Sequence, residues 1–163
     1  MARREITLSV DVDAPVETVW REVTDWESQG EWMLGTEVRV TRGDGTSVGS
    51  ELAATTGVGP LGVTDTMEIV GWDPPHRATV RHTGRVVRGS GVFSVLARRG
   101  DDGREASTFV WSEQLDLPLG ALGALGWPLV RPAFAWGLQR SLDALARRCE
   151  RDADRDADRD AER

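Results

Sequence analysis

The chain contains no lysine, tyrosine or asparagine, so all 20 of its basic side chains are arginine. These absences remove whole chemistries: no Schiff-base lysine, no phosphate-loop lysine and no tyrosine acid. A single cysteine in 163 residues leaves no internal disulfide framework, and the cytoplasm is the default location expected of such a chain. No apolar run reaches the length needed to span a bilayer, and Arg3-Arg4 runs into a strand pattern, not a secretory leader, so no membrane insertion is expected. A formal charge of −7, with no basic block on one predicted element, argues against a nucleic-acid partner or an anionic-membrane patch. A homodimer is left open.

What is present is a length suited to one domain with a real core, and seven tryptophans. The most ordered pattern comes late. Phe134, Leu138, Leu142, Leu145 and Cys149 recur at helical spacing, opposite Gln139, Arg140, Asp143, Arg147 and Arg148. We expect an amphipathic helix from about Arg131 to Cys149, roughly 27 Å long, with Pro132 in its first turn.

Nearly everything before it reads as strand. Ile6, Leu8, Val10 and Val12 alternate with polar residues, and Asp13 or Ala14 then opens a short helix with Pro15 in its first turn and Val16, Val19, Trp20 and Val23 on one face. A second short helix is expected over Glu27 to Met33. From Gly35 the period changes to two. Strands are expected around Val38–Val40, Ser50–Thr56, Val63–Trp72, Arg77–Thr83, Val86–Arg98 and Glu105–Leu117. Gly43-Asp44-Gly45, Asp73-Pro74-Pro75 and Gly100 to Gly103 supply turns. The connections are too short for parallel crossovers, so the sheet is antiparallel and the class is α+β. Residues 151–163 repeat Arg-Asp-Ala-Asp with almost nothing to bury. They read as a charged low-complexity tail outside the 1–150 domain, either disordered or a frayed helical extension.

Strand, two short helices, antiparallel strands and a long C-terminal helix is an order that resembles the START-like (SRPBCC) superfamily. The residues from Ile6 through Val12-Asp13-Ala14-Pro15, then Glu17, Val19-Trp20 and Thr24-Asp25-Trp26, are similar to its polyketide cyclase/dehydrase-like branch. So are Trp72-Asp73-Pro74-Pro75 and Leu117-Pro118-Leu119-Gly120. The resemblance spans about residues 4–149. It implies a helix-grip fold, a curved sheet around the long helix, with an apolar cavity between them.

Gly57 to Gly62 matches GxGxxG, but a strand pattern follows where a dinucleotide site needs a helix, and Pro60 removes a useful amide. A flexible loop between two strands is the better reading, which the resemblance would place as a gate at the cavity mouth, and no cofactor is expected. His76 follows the Pro-Pro turn and is read as exposed. His82 points inward if it shares a face with Ala78 and Val80. No metal is expected, because neither histidine belongs to a ligand motif, and a structural role for His82 is favoured over an acid–base one. Phe109, Trp111, Glu113 and Leu115 share one face of the last strand. With that face inward, Glu113 needs a partner; with it outward, Glu113 is a surface acid. Arg81 and Arg88 are candidate partners if they face inward, and the outer face is equally open to each. Cys149 reads as packing.

The cavity is accordingly expected to involve Trp72, Val80, His82, Phe93 and Phe109 from the strands. Trp111 and Glu113 complete the sheet side, and Phe134, Leu138 and Leu142 come from the helix. The first functional reading is reversible binding, transport or sensing of a small lipid-like or polyketide-like molecule. It takes support from the apparent lack of a dense polar constellation. The alternative is a polyketide aromatase/cyclase or dehydratase using His82, Glu113 and Arg88. A third is an interaction module acting through the tail and exposed tryptophans.

Overall fold

A computed structural model describes the backbone of residues 3–57, 62–85, 87–116 and 120–162. The side chains of residues 3, 4, 120–131 and 134 fall outside the description. Strand β1 (Arg3–Val12) leads into helix α1 (Val16–Thr24) and a 3₁₀ turn (Trp26–Glu31). Six strands follow: β2 (Thr36–Arg42), β3 (Glu51–Thr56), β4 (Val63–Asp73), β5 (Arg77–His82), β6 (Arg88–Arg99) and β7 (Glu105–Asp116). Helix α2 (Gly120–Ala161) closes the chain. The strands form one antiparallel sheet in the order β1-β7-β6-β5-β4-β3-β2, a helix-grip fold of the α+β class.

Helix α2 is 42 residues long, more than twice the expected helix. It begins in the Gly/Ala/Leu-rich stretch read as a connection, so Pro132 lies well inside it and not in its first turn. It also continues through the charged repeat, which is helical to Ala161 where a disordered tail was the leading expectation. The spacing explains this. Arg155 meets Asp152 at 3.2 Å and Arg159 meets Asp156 at 3.3 Å, each pair three residues apart. Asp156 also reaches Arg21 of α1 at 3.5 Å, and Ala153 packs on the core.

The concave side of the sheet is filled at one end. Val12, Val95 and Phe109 are fully buried against Leu142, Leu145 and Cys149 of α2. Each large side chain there contributes about 1.5–3 kcal/mol by leaving water. Arg148, drawn among the wet-face residues, instead ties α2 to α1 and the 3₁₀ turn through Glu22 and Glu31. Those bonds hold its guanidinium charge more firmly than in water, against the opposing effect of burial. At the other end, the 3₁₀ turn sets Trp26 against the sheet, where its ring stacks on Phe93 with centroids 6.1 Å apart. The Trp26 indole N–H donates to Gly45 O at 2.7 Å. Gly45 has φ +74°, and a Cβ there would fall 2.9 Å from the Trp26 ring, so the β2–β3 loop needs glycine at this point.

Candidate functional site

Between the open end of the sheet and α2 lies a cavity of about 500 Å³. Helix α2 contributes Ala133, Gly137, Leu138 and Ser141 to its wall. Strands β4 and β5 contribute Asp65, Met67, Ala78, Val80 and His82; β6 and β7 add Gly91, Phe93, Trp111, Glu113 and Leu115. The 3₁₀ turn and its flank bring Trp26, Gln29 and Met33. Strand alternation selects these residues. Register partners share a face, so Gly91 opposite Glu113, and Phe93 opposite Trp111, all face the helix.

One polar cluster interrupts this apolar wall. His82 has a side chain only 6% exposed, and its Nδ1 sits 2.5 Å from Asp65 Oδ2. Its Nε2 sits 3.0 Å from Glu113 Oε2. The Trp111 indole N–H donates to the other Glu113 oxygen at 2.6 Å. Burial alone would lower the His82 pKa, but hydrogen bonds to Asp65 and Glu113 and the charge of both carboxylates outweigh it. The imidazole is pushed up to about 9, so it is an imidazolium at neutral pH. The three groups bond to one another instead of turning lone pairs toward one point. Among the described residues, no group of three His, Cys, Asp or Glu is arranged to hold a metal.

Of the anticipated cavity residues, Val80, His82, Phe93, Trp111, Glu113 and Leu138 border the cavity. Three others do not, and packing explains each. Phe109 is fully buried, edge-on to Phe93 at 5.3 Å, beyond the point where the cavity ends. Leu142 is fully buried one turn past Leu138, where α2 already lies on the filled end of the sheet. Trp72 faces inward beside Ala78 after a register shift between Ile69 and Gly71. Its ring is covered by Trp20 at 5.1 Å and Trp26 at 6.5 Å. The Phe134 side chain lies outside the described residues.

Arg88 does not join His82 and Glu113. Gly89 and Gly91 take the inward positions of β6, so Arg88 is exposed on the outer face. Arg81 is likewise outward and pairs with Glu68 at 2.5 Å. His76 is exposed near Val95 O. Cys149 is buried, and burial with nearby acids pushes its thiol up to about 12, an inert packing residue. The GxGxxG match joins β3 to β4 as a hairpin, with no helix after it. Its residues 58–61 lie outside the described residues, while the flanking Thr56 and Val63 border the cavity.

Asp65 was missed. The signal was available, because Asp65 alternates with Met67 and Ile69 and so shares the inward face of β4. An acid in that register needs a partner, and His82 of β5 provides it. Gly91 was missed too, since a glycine's role appears only with its neighbour's side chain in place.

This fold and site define a START-like domain: a curved sheet gripping a long helix over an apolar cavity. The profile of the polyketide cyclase/dehydrase and lipid transport family matches residues 3–150, and the chain belongs to that family. Solved structures agree in fold. A Thermus thermophilus protein is 19% identical with a TM-score of 0.73, the match covering 90% of this chain and 97% of that one. Zhui aromatase/cyclase from a Streptomyces species is 18% identical with a TM-score of 0.71, covering 92% and 95%. A START superfamily protein from Mycobacterium smegmatis is 16% identical with a TM-score of 0.68, covering 90% and 97%. No curated protein matches the sequence. Among the described residues, no helix is long and apolar enough to cross a membrane.

Proposed function

We propose that the protein reversibly binds a small, largely apolar molecule between its sheet and α2. The observation that carries this reading is the cavity of about 500 Å³, walled by Trp, Phe, Met, Val and Leu with a single ionised cluster. An apolar pocket with a few fixed polar groups is the usual form of a small-molecule site, and this volume is within the usual range. The family, which includes cyclases, dehydrases and lipid transporters by its own description, supports the same class of ligand. Thermal-shift and tryptophan-fluorescence titrations against lipids, polyketides and aromatic compounds test it. Saturable binding with a raised melting temperature is expected; no saturable ligand in any class would sink the reading.

A second reading has one specific observation in its favour. The sequence offered no dense polar constellation, yet Asp65, His82, Glu113 and Trp111 form one hydrogen-bonded chain on the cavity wall. A buried imidazolium bonded to a carboxylate on the cavity wall can pass its proton through that carboxylate to a substrate oxygen, as an aromatase/cyclase or dehydratase requires. On this reading His82 supplies the proton, Glu113 relays it to the substrate, and Asp65 holds the imidazolium in place. Arg88 has no part in it. Replacing His82 by Ala should then cost about 10²-fold or more in turnover of a polyketide-like substrate. Unchanged turnover removes His82 from any mechanism.

A further inference from the structure

We infer that the cavity selects molecules whose apolar body carries a hydrogen-bond-donating head, an amine, alcohol or phenol, and that it discriminates against carboxylates. This rests on the ligand-binding reading above and specifies the ligand's polar chemistry.

The argument is an inventory of donors and charge. Both His82 N–H groups are taken, by Asp65 at 2.5 Å and Glu113 at 3.0 Å. The Trp111 N–H is taken by Glu113 at 2.6 Å, and the Trp26 N–H by Gly45 O at 2.7 Å. Ser141 donates to Gly137 O at 3.0 Å while accepting from Leu34 N at 2.9 Å. Gln29 spends a proton on Val23 O at 2.6 Å, and the Thr36 and Thr56 hydroxyls bond each other at 2.8 Å. What these leave is one spare amide proton and one spare hydroxyl proton, neither on a charged group.

Acceptor capacity, by contrast, remains. An ionised carboxylate offers about four lone-pair sites. Both residues border the cavity; Glu113 uses one on each oxygen and Asp65 uses one on Oδ2. Asp65 Oδ1 is buried out of a ligand's reach, so the acceptors open to the cavity are those of Glu113 and Asp65 Oδ2. The charge has the same sense. With both carboxylates ionised, the cluster carries −1 when His82 is protonated and −2 when it is not. In neither state is it positive. The chain has no lysine, and no arginine side chain is among the described residues of the cavity wall. A ligand carboxylate entering this wall would meet acceptors of its own sign, with no free cation among the wall's described residues to pair it. An ammonium or hydroxyl would meet unused lone pairs in a medium that strengthens the contact.

Three probes of one aromatic body separate the alternatives: naphthylethylamine, naphthylethanol and naphthylacetate, titrated calorimetrically near neutral pH into the full chain. The amine and the alcohol are expected to bind at least about tenfold more tightly than the acid, a factor of about 1.4 kcal/mol. Glu113→Gln should narrow the gap between amine and acid, and Asp65→Asn should do the same if the first variant folds poorly. Acid binding equal to or tighter than the amine and alcohol overturns the inference and leaves the binding reading standing. Saturable binding by none of the three overturns the binding reading for this aromatic class, and the inference with it.

Discussion

Gly91 and Glu113 are direct register partners on β6 and β7, and the Glu113 carboxylate occupies the space a side chain at 91 would take. A Cβ built on Gly91 falls 2.8 Å from Glu113 Oε1 and 3.1 Å from Val80 Cγ2. The glycine is therefore a seat for the carboxylate that clamps His82. Gly91→Ala should push that carboxylate off Trp111 and His82. Overpacking of this kind typically costs about 1–3 kcal/mol. The specific readout is the His82 titration followed by NMR, which should move down toward the ordinary histidine range as the Glu113 bond weakens. A variant that is destabilised with an unmoved His82 titration would make Gly91 a packing residue only.

Stability should fall as pH rises through the mildly alkaline range. The folded pKa of His82 is raised from 6.5 to about 9, so its stabilising contribution is complete below about 6.5 and lost as pH passes 9. The gap is worth on the order of 3 kcal/mol, a ceiling set by both carboxylates remaining in place. Above about 9 the buried Cys149 thiol, itself pushed up to about 12, adds a separate alkaline loss. Denaturant midpoints measured from pH 6 to 9 should decline steadily in the parent and stay nearly flat in His82→Gln. A parent curve without that decline would contradict the clamped imidazolium.

The fold was legible because each element carried its own periodicity. Ile6 to Val12 alternates cleanly, and Val16, Val19, Trp20 and Val23 repeat at helical spacing, so both elements could be placed to within about three residues. Boundaries failed where no burial pattern marks them, as at both ends of α2, which a charged repeat and a small-residue stretch extend. The site was only half legible. His82 and Glu113 could be named because each interrupts an apolar face. Their partner Asp65 comes from a third strand, and the register pairing Met67 with His82 is a long-range fact that no local spacing encodes. Where the cavity stops is hidden for the same reason. Nothing local distinguishes Trp111 from Phe109, or Leu138 from Leu142; the position of α2 over the sheet does.

Removal of residues 151–163 should leave the domain folded. The repeat is helical, but its pairs are surface pairs, and such pairs contribute about 0–1 kcal/mol each. Among its described apolar residues, Ala153 is the one packed on the main core. A melting temperature lowered by a few degrees, with the cavity's ligand response intact, is the expected result of truncation. Loss of cooperative unfolding would mean that the extension holds α2 against α1, and that the Arg21–Asp156 contact matters more than its exposure implies.

Leu138 and Leu142 stand one turn apart on α2, and they should respond oppositely to the same change. Leu142 is fully exposed to neighbours and not at all to solvent, packed over the filled end of the sheet. Leu142→Ala should cost about 2–5 kcal/mol, because close-packed surroundings cannot collapse into the space it leaves. Leu138 borders empty volume, so part of its surface has no neighbour to lose. Leu138→Ala should therefore lie at or below the low end of that range while enlarging the pocket. Leu138→Trp extends into the cavity, so it should fold with near-parental stability and lose ligand response. Leu142→Trp has nowhere to go and should be strongly destabilised. Urea midpoints for the four variants, paired with a fluorescence titration of whichever probe binds the parent, separate the two positions. Equal destabilisation at 138 and 142, or unchanged ligand binding by Leu138→Trp, would mean that the helix face over the cavity is not where the ligand sits.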